Sequence, residues 1–166
     1  VRRRGSSPGV EVPKGEKVLA STTAADGAVL AGTRDAFYLV RPGEQPVRVP
    51  WEQVEAAEWD RDAELFRLSE VGRWGELRRE HTVTLDDTGR LLELVQERVT
   101  ASIVLQKHVP LEGRRGLRVI ARRAPRGDRP VEWVYEYDQG VDPEDPAVAS
   151  AARAALAQAQ QDLGTA

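Results

Sequence analysis

His81 and His108 are the two imidazoles of a chain that contains no cysteine, and that pair of facts sets the first limits on its chemistry. A resident metal needs three or four converging ligands. No His-x-x-x-His, His-Glu-x-x-His or comparable spacing supplies them. The lack of Cys also excludes a disulfide framework, thiolate catalysis and thiolate-held zinc or iron–sulfur centres. Ser21, Ser69, Ser102 and Ser150 sit outside any Gly-x-Ser-x-Gly elbow, and Gly113-Arg114-Arg115-Gly116 has neither the spacing nor the lysine of a phosphate loop. The acid pairs Asp60/Asp62 and Asp86/Asp87 fall where turns and helix starts favour Asp for its local hydrogen bonds. The expectation is a protein that is not an enzyme and carries no cofactor and no metal.

Binding chemistry is better represented. Arg114, Arg115, Arg122, Arg123, Arg126 and Arg129 form one dense basic stretch, and a planar guanidinium fork suits phosphate or carboxylate. Arg122 is expected to be neutralised across a hairpin by Glu132. Arg114, Arg115, Arg123, Arg126 and Arg129 then remain as candidate anion-binding residues. A second candidate is the pair Arg79 and His81, which alternate with Leu77, Val83 and Leu85 on an otherwise apolar strand face. Trp133, Tyr135 and Tyr137 also alternate, but without interleaved basic residues on their own face, so they read as packing for a helix rather than a base-stacking platform. With 24 basic and 27 acidic residues the net charge is -3. No global attraction to nucleic acid or anionic lipid follows from it.

Elements must hold these residues in place. Residues 1–15, rich in Gly, Pro, Ser and Arg, lack apolar periodicity and are expected to form a disordered tail. From Glu16 to Leu85, short Val-, Leu-, Thr- and aromatic-rich runs are punctuated by Asp26-Gly27, Arg34-Asp35, Pro42-Gly43, Asp60-Arg61-Asp62 and Gly72-Arg73-Trp74-Gly75, which predicts seven antiparallel strands in a meander. At Asp86 the period changes to 3.6. Leu91, Leu94, Val95, Val99 and Ile103 mark an amphipathic helix running to about Lys107 and stopping before Pro110. Beyond Gly113 a hairpin follows, with Pro125–Arg129 as its loop. The implied register sets Arg122 against Glu132, Ala121 against Trp133, Val119 against Tyr135 and Arg118 against Glu136. An Ala-rich helix then starts at Pro146 with Asp145 as its N-cap. The expected division is a tail over 1–15, a first domain over 16–110 and a hairpin-helix extension over 111–166. No apolar run has the roughly 20 residues of a membrane span, and the Arg2-Arg3-Arg4 cluster leads into no apolar leader segment, so a cytoplasmic location is expected.

Gly15-Glu16-Lys17-Val18-Leu19-Ala20 as an opening strand, Ala31-Gly32-Thr33-Arg34-Asp35-Ala36-Phe37-Tyr38-Leu39-Val40 as a paired second and third, and the Trp51-x-x-Val54 step leading to Trp59-Asp60 resemble bacterial pleckstrin-homology-like domains of actinobacterial type, an affinity that the arginine-rich, lysine-poor composition suits. The resemblance covers residues 16–108. It implies a mainly β fold, a seven-stranded antiparallel barrel capped by an α-helix, here with the extra C-terminal hairpin and helix, and it places Arg79 and His81 at the barrel mouth. Phosphoinositide-binding members carry basic residues in the first hairpin loop, whereas Thr23-Ala24-Ala25-Asp26-Gly27 has none, which disfavours a lipid partner. Bacterial members of this kind serve as interaction or oligomerisation modules. The expected function is therefore association with a protein, itself included. The alternatives are an anion or nucleic-acid site on the arginines and a small-molecule carrier at the barrel mouth.

Overall fold

A computed structural model describes residues 9–164. The chain divides into two compact units, one formed by Val1–Ser102 with Ala124–Asp128, the other by Ile103–Arg123 with Arg129–Ala166. In the first unit, β1 (Ala20–Thr23), β2 (Val29–Gly32), β3 (Ala36–Val40) and β4 (Val47–Pro50) form a four-stranded antiparallel sheet in sequence order, and β5 (Val54–Asp60), β6 (Leu65–Glu70) and β7 (Glu80–Thr84) form a three-stranded one. The expected barrel is not there. Among the described residues no sheet closes on itself, and the seven strands belong to two sheets rather than one. The break has a local cause. Pro50 has no N–H to donate to a ladder and Trp51–Gln53 coil into a 3₁₀ turn, so pairing stops between β4 and β5.

Both faces of β3 are buried, because Ala36-Phe37-Tyr38-Leu39-Val40 is apolar at every position. Phe37 and Leu39 join Leu30, Trp51, Phe66 and Leu68 in the main core, where the Phe37 and Phe66 rings stack with centroids 6.0 Å apart. Trp51 is wholly enclosed, and its indole N–H donates to the Thr33 carbonyl at 2.9 Å. Helix α1 (Leu91–Ser102) lays Leu91, Leu94 and Val95 onto this core. Gly32 permits the approach, since a Cβ there would lie 2.6 Å from Leu94 Cδ2.

The helix is shorter than its periodicity implies. It ends at Ser102, and Ile103, expected on its buried stripe, opens the strand β8 (Ile103–Glu112). Leu105, Lys107, Val109 and Leu111 fit a period of two, and Pro110 is tolerated because β8 is an edge strand. The division between units accordingly falls after Ser102 rather than after Pro110.

In the second unit, β8, β9 (Arg115–Arg122) and β10 (Glu132–Tyr137) form an antiparallel sheet in the order β10-β9-β8. The β9–β10 register is the expected one at every pair, from Glu132 opposite Arg122 to Tyr137 opposite Leu117. Trp133, Tyr135 and Tyr137 then share a face with Leu117 and Val119, and α2 (Pro146–Leu163) packs Ala152, Ala155 and Ala159 there. Asp145 caps α2 as expected, its side chain accepting from Ala147 N at 2.8 Å.

Of the expected tail, residues 1–8 lie outside the described residues. Val10 departs from that expectation. It is 4% exposed and packs with Ala31, Ala36 and Tyr38, and Val12 lies beside the same cluster.

Candidate functional site

The arginines of the second unit proposed for an anion fall at the two ends of β9. Arg114 and Arg115 stand at the β8–β9 turn and Arg123 at the far end of β9. At about 3.3 Å per strand residue, Arg115 and Arg123 are roughly 26 Å apart. Arg115 lies over the backbone of Gly140, where a Cβ would come within 2.8 Å of its Nη1. Arg126 is engaged in the first unit, its Nε and Nη2 gripping the two carboxylate oxygens of Asp35 at 2.5 and 2.6 Å. Arg129 is exposed in the β9–β10 loop. The length of β9 thus separates Arg114 and Arg115 from Arg123, while Arg123 and Arg129 stand on the two sides of the β9–β10 loop.

His108 lies on β8, opposite Arg118, rather than at a helix end. Its Nε2 is 3.5 Å from Asp138 Oδ2, which also accepts from the Gly116 N–H at 2.8 Å. That backbone donor first, and His108 and Arg118 after it, hold the Asp138 carboxyl below the usual carboxylate range.

His81 meets one other charged side chain and Arg79 is placed through its backbone, in a setting other than a barrel mouth, since among the described residues no sheet closes. Arg79 ends the β6–β7 connection and His81 lies on β7. Glu70 N–H donates to the Arg79 carbonyl at 2.9 Å and His81 pairs across with Leu68. His81 Nε2 lies 2.7 Å from Glu70 Oε2, both side chains largely covered. Between the two strands the chain makes a turn closed by Glu76 N–H to the Arg73 carbonyl at 3.2 Å, with Gly75 at φ 82°. That positive φ at the third turn position favours glycine. The preceding residue is Trp74. It is 56% exposed, and Leu77, one step past the turn, is 99% exposed.

The base of the turn is fixed. Arg78 Nη1 reaches Glu55 Oε2 on β5 at 2.5 Å, and Gly72 leaves the room that Arg78 Cγ needs, a Cβ there falling 2.9 Å from it. Val71 N–H donates to the Gln53 carbonyl at 2.7 Å. The surroundings carry Arg73, Arg78 and Arg79 together with Glu55, Glu70, Glu76 and Glu80. These charges nearly cancel, and the unneutralised feature is an exposed indole beside an exposed isobutyl group.

In the sequence, Gly72–Gly75 marks a turn but not what that turn displays. The available signal is composition. A turn built on Arg-Trp-Gly-Glu-Leu-Arg-Arg holds two large apolar residues where Gly, Asn, Asp or Ser are usual. Among the described residues no group of three or more His, Asp or Glu is placed to hold a metal ion, and no helix is long and apolar enough to cross a membrane. Comparison with family models, with curated proteins and with solved structures finds no match for this chain.

Proposed function

We propose that this protein is a non-catalytic association module that docks a protein partner through the Trp74–Leu77 turn. The observation that carries the reading is the exposure of Leu77, 99%, next to a half-exposed Trp74 on a turn whose base is held by an ion pair. Fully burying a leucine side chain is worth about 1.5–3 kcal/mol. Trp and Arg are the residues most enriched among interface hot spots, where truncation costs about 2 kcal/mol or more. The balanced charges argue for a protein partner with an apolar socket and a mixed polar rim. A polyanion would call for a surplus of arginine, which this patch lacks.

The test is a photo-crosslinking residue introduced at Leu77 in the native host, with one at Arg61 as the control, alongside sedimentation of the purified chain. The expected result is a discrete protein adduct, or concentration-dependent self-association, that Trp74→Ser/Leu77→Ser abolishes. Adducts no more frequent at 77 than at 61, together with identical monomeric sedimentation of wild type and double variant, overturn the proposal.

A further inference from the structure

The outer face of the four-stranded sheet is covered by the chain's own residues 9–19, which form no strand. Between residues 9 and 18 this strap is held to the sheet mainly by side chains. Val10, Val12 and Val18 fill a shallow apolar surface made by Val29, Ala31, Ala36 and Val40. Beside it, three side chains converge on one carboxylate. Glu16 Oε2 accepts from Thr33 Oγ1 at 2.8 Å and from the Tyr38 hydroxyl at 2.7 Å, and Glu16 Oε1 accepts from Arg48 Nη2 at 2.7 Å. Arg48 Nε also donates to the Tyr38 oxygen at 2.9 Å and its guanidinium lies over the Tyr38 ring, so receptor side chains also brace one another. The Glu16 side chain is 8% exposed.

Two further features set how the strap is retained. Its middle is a turn, Glu16 N–H to the Pro13 carbonyl at 3.0 Å with Gly15 at φ 96°. Arg126 donates to the Gly15 carbonyl at 3.4 Å while its fork holds Asp35. An arginine that the sequence offered to an external anion thus latches the strap. Apart from one main-chain bond at its end, Leu19 N–H to the Gly32 carbonyl at 2.8 Å, the segment is bound by side-chain contacts, and such a segment belongs to the low-stability end of a fold, where local opening is least costly.

We infer that the Thr33–Tyr38–Arg48 carboxylate receptor and the adjoining apolar surface form a binding site for an extended, acid-bearing aliphatic segment of a partner protein, and that residues 9–19 occupy it in cis. The strap itself shows the chemistry the site selects: two valines two residues apart, then a carboxylate four residues beyond the second. Because the cis segment is tethered, its effective concentration is of order millimolar, so an external segment gains access when the strap is loosened. This surface shares no residue with the Trp74–Leu77 turn, and the assay below reads neither of those side chains, so the two proposals can fail separately.

The probe is a fluorophore-labelled synthetic peptide of residues 9–19, titrated by anisotropy into the full chain. The partners are wild type, the strap variant Val10→Asp/Val12→Asp, the latch variant Arg126→Ala and the receptor variant Arg48→Ala. We expect the strap variant to bind at least about tenfold more tightly than wild type, the latch variant to fall between them, and Arg48→Ala placed in the strap variant to remove the gain. A peptide carrying Glu16→Gln should bind about tenfold or more weakly. Should Val10→Asp/Val12→Asp fail to fold, Glu16→Gln in the full chain loosens the strap without burying a new charge and takes its place. Folded strap and latch variants that bind no more peptide than wild type overturn the proposal. So does a strap variant that forms a stable dimer without binding peptide, which would assign the surface to a second copy, and so does binding indifferent to Glu16→Gln in the peptide.

Discussion

The Glu16 carboxylate feels two opposed influences. Burial raises its pKa, and the hydrogen bonds from Tyr38, Arg48 and Thr33 lower it by more, so it titrates below its ordinary value of 4.5. The folded chain therefore releases this proton more readily than the unfolded one, and the stabilisation is whole above that ordinary value and is lost as pH falls through the folded one. Glu16→Gln should cost about 1.5–3 kcal/mol at neutral pH, the usual worth of hydrogen bonds to a charged group. Denaturant melts should show the variant's stability falling less steeply than wild type's as the pH is lowered below about 4.5. Equal slopes would exclude Glu16 as the titrating group. Tyr38 supplies the mirror case. Burial, and then its bond to Glu16, push the phenol up to about 12 from 10.0, so stability should drain as pH rises across that interval, and Tyr38→Phe should flatten the alkaline limb. None of this could be read in the sequence. Glu16, Thr33, Tyr38 and Arg48 are spread over more than thirty positions, and no local spacing announces that they meet.

Strands tell the opposite story. The β9–β10 register was legible because two independent patterns, alternating charge and alternating aromatics, select one alignment, and a slip by one residue would break both. The helix-to-strand boundary at Ser102 was not legible, since Val99 and Ile103 satisfy a helical stripe while Ile103, Leu105 and Lys107 satisfy a strand. Burial alters one consequence of the register. Arg122 is 3% exposed, so Arg122→Glu should cost about 3–5 kcal/mol, as for a disrupted buried charge, rather than the 1 kcal/mol or less of an exposed cross-strand pair. Adding Glu132→Arg should restore only part of it, and full recovery in thermal melts would contradict the burial. Gly116 gives a second check on the same sheet. A Cβ there would lie 2.0 Å from the Val109 carbonyl oxygen and 2.9 Å from Pro110 Cα. Backbone cannot yield as a side-chain tip can, so Gly116→Ala should destabilise by more than about 2 kcal/mol, whereas Gly43→Ala, with open space around it, should show only the smaller cost of its positive φ.

For the molecule as a whole, the composition pointed to an antiparallel β protein, and turn residues marked the seven strands of the first unit, but composition carries no information on whether a sheet closes. That depends on hydrogen bonding between strands distant in sequence, and the Pro50–Gln53 interruption decides against one continuous sheet. Charge shows the same limit. The 24 basic residues against 27 acidic ones fix the net charge of -3, while the structure decides which arginines remain available. Arg48 is bound to Glu16, Arg78 to Glu55, Arg118 to Glu136 and Arg126 to Asp35, and those at the two ends of β9 are too far apart to act on one phosphate. Nucleic-acid affinity grows with the number of phosphates neutralised together, and each contact adds close to one unit of salt slope. With those four arginines paired and the two ends of β9 separated, the chain should hold duplex DNA no more tightly than the weak end of the non-specific range, about 10⁻⁴ M at physiological salt. Removing Arg123 and Arg129 together should leave that value unchanged in an anisotropy titration. Micromolar binding that falls steeply with salt, and falls further in the Arg123→Ala/Arg129→Ala variant, would show that those side chains converge on a nucleic acid.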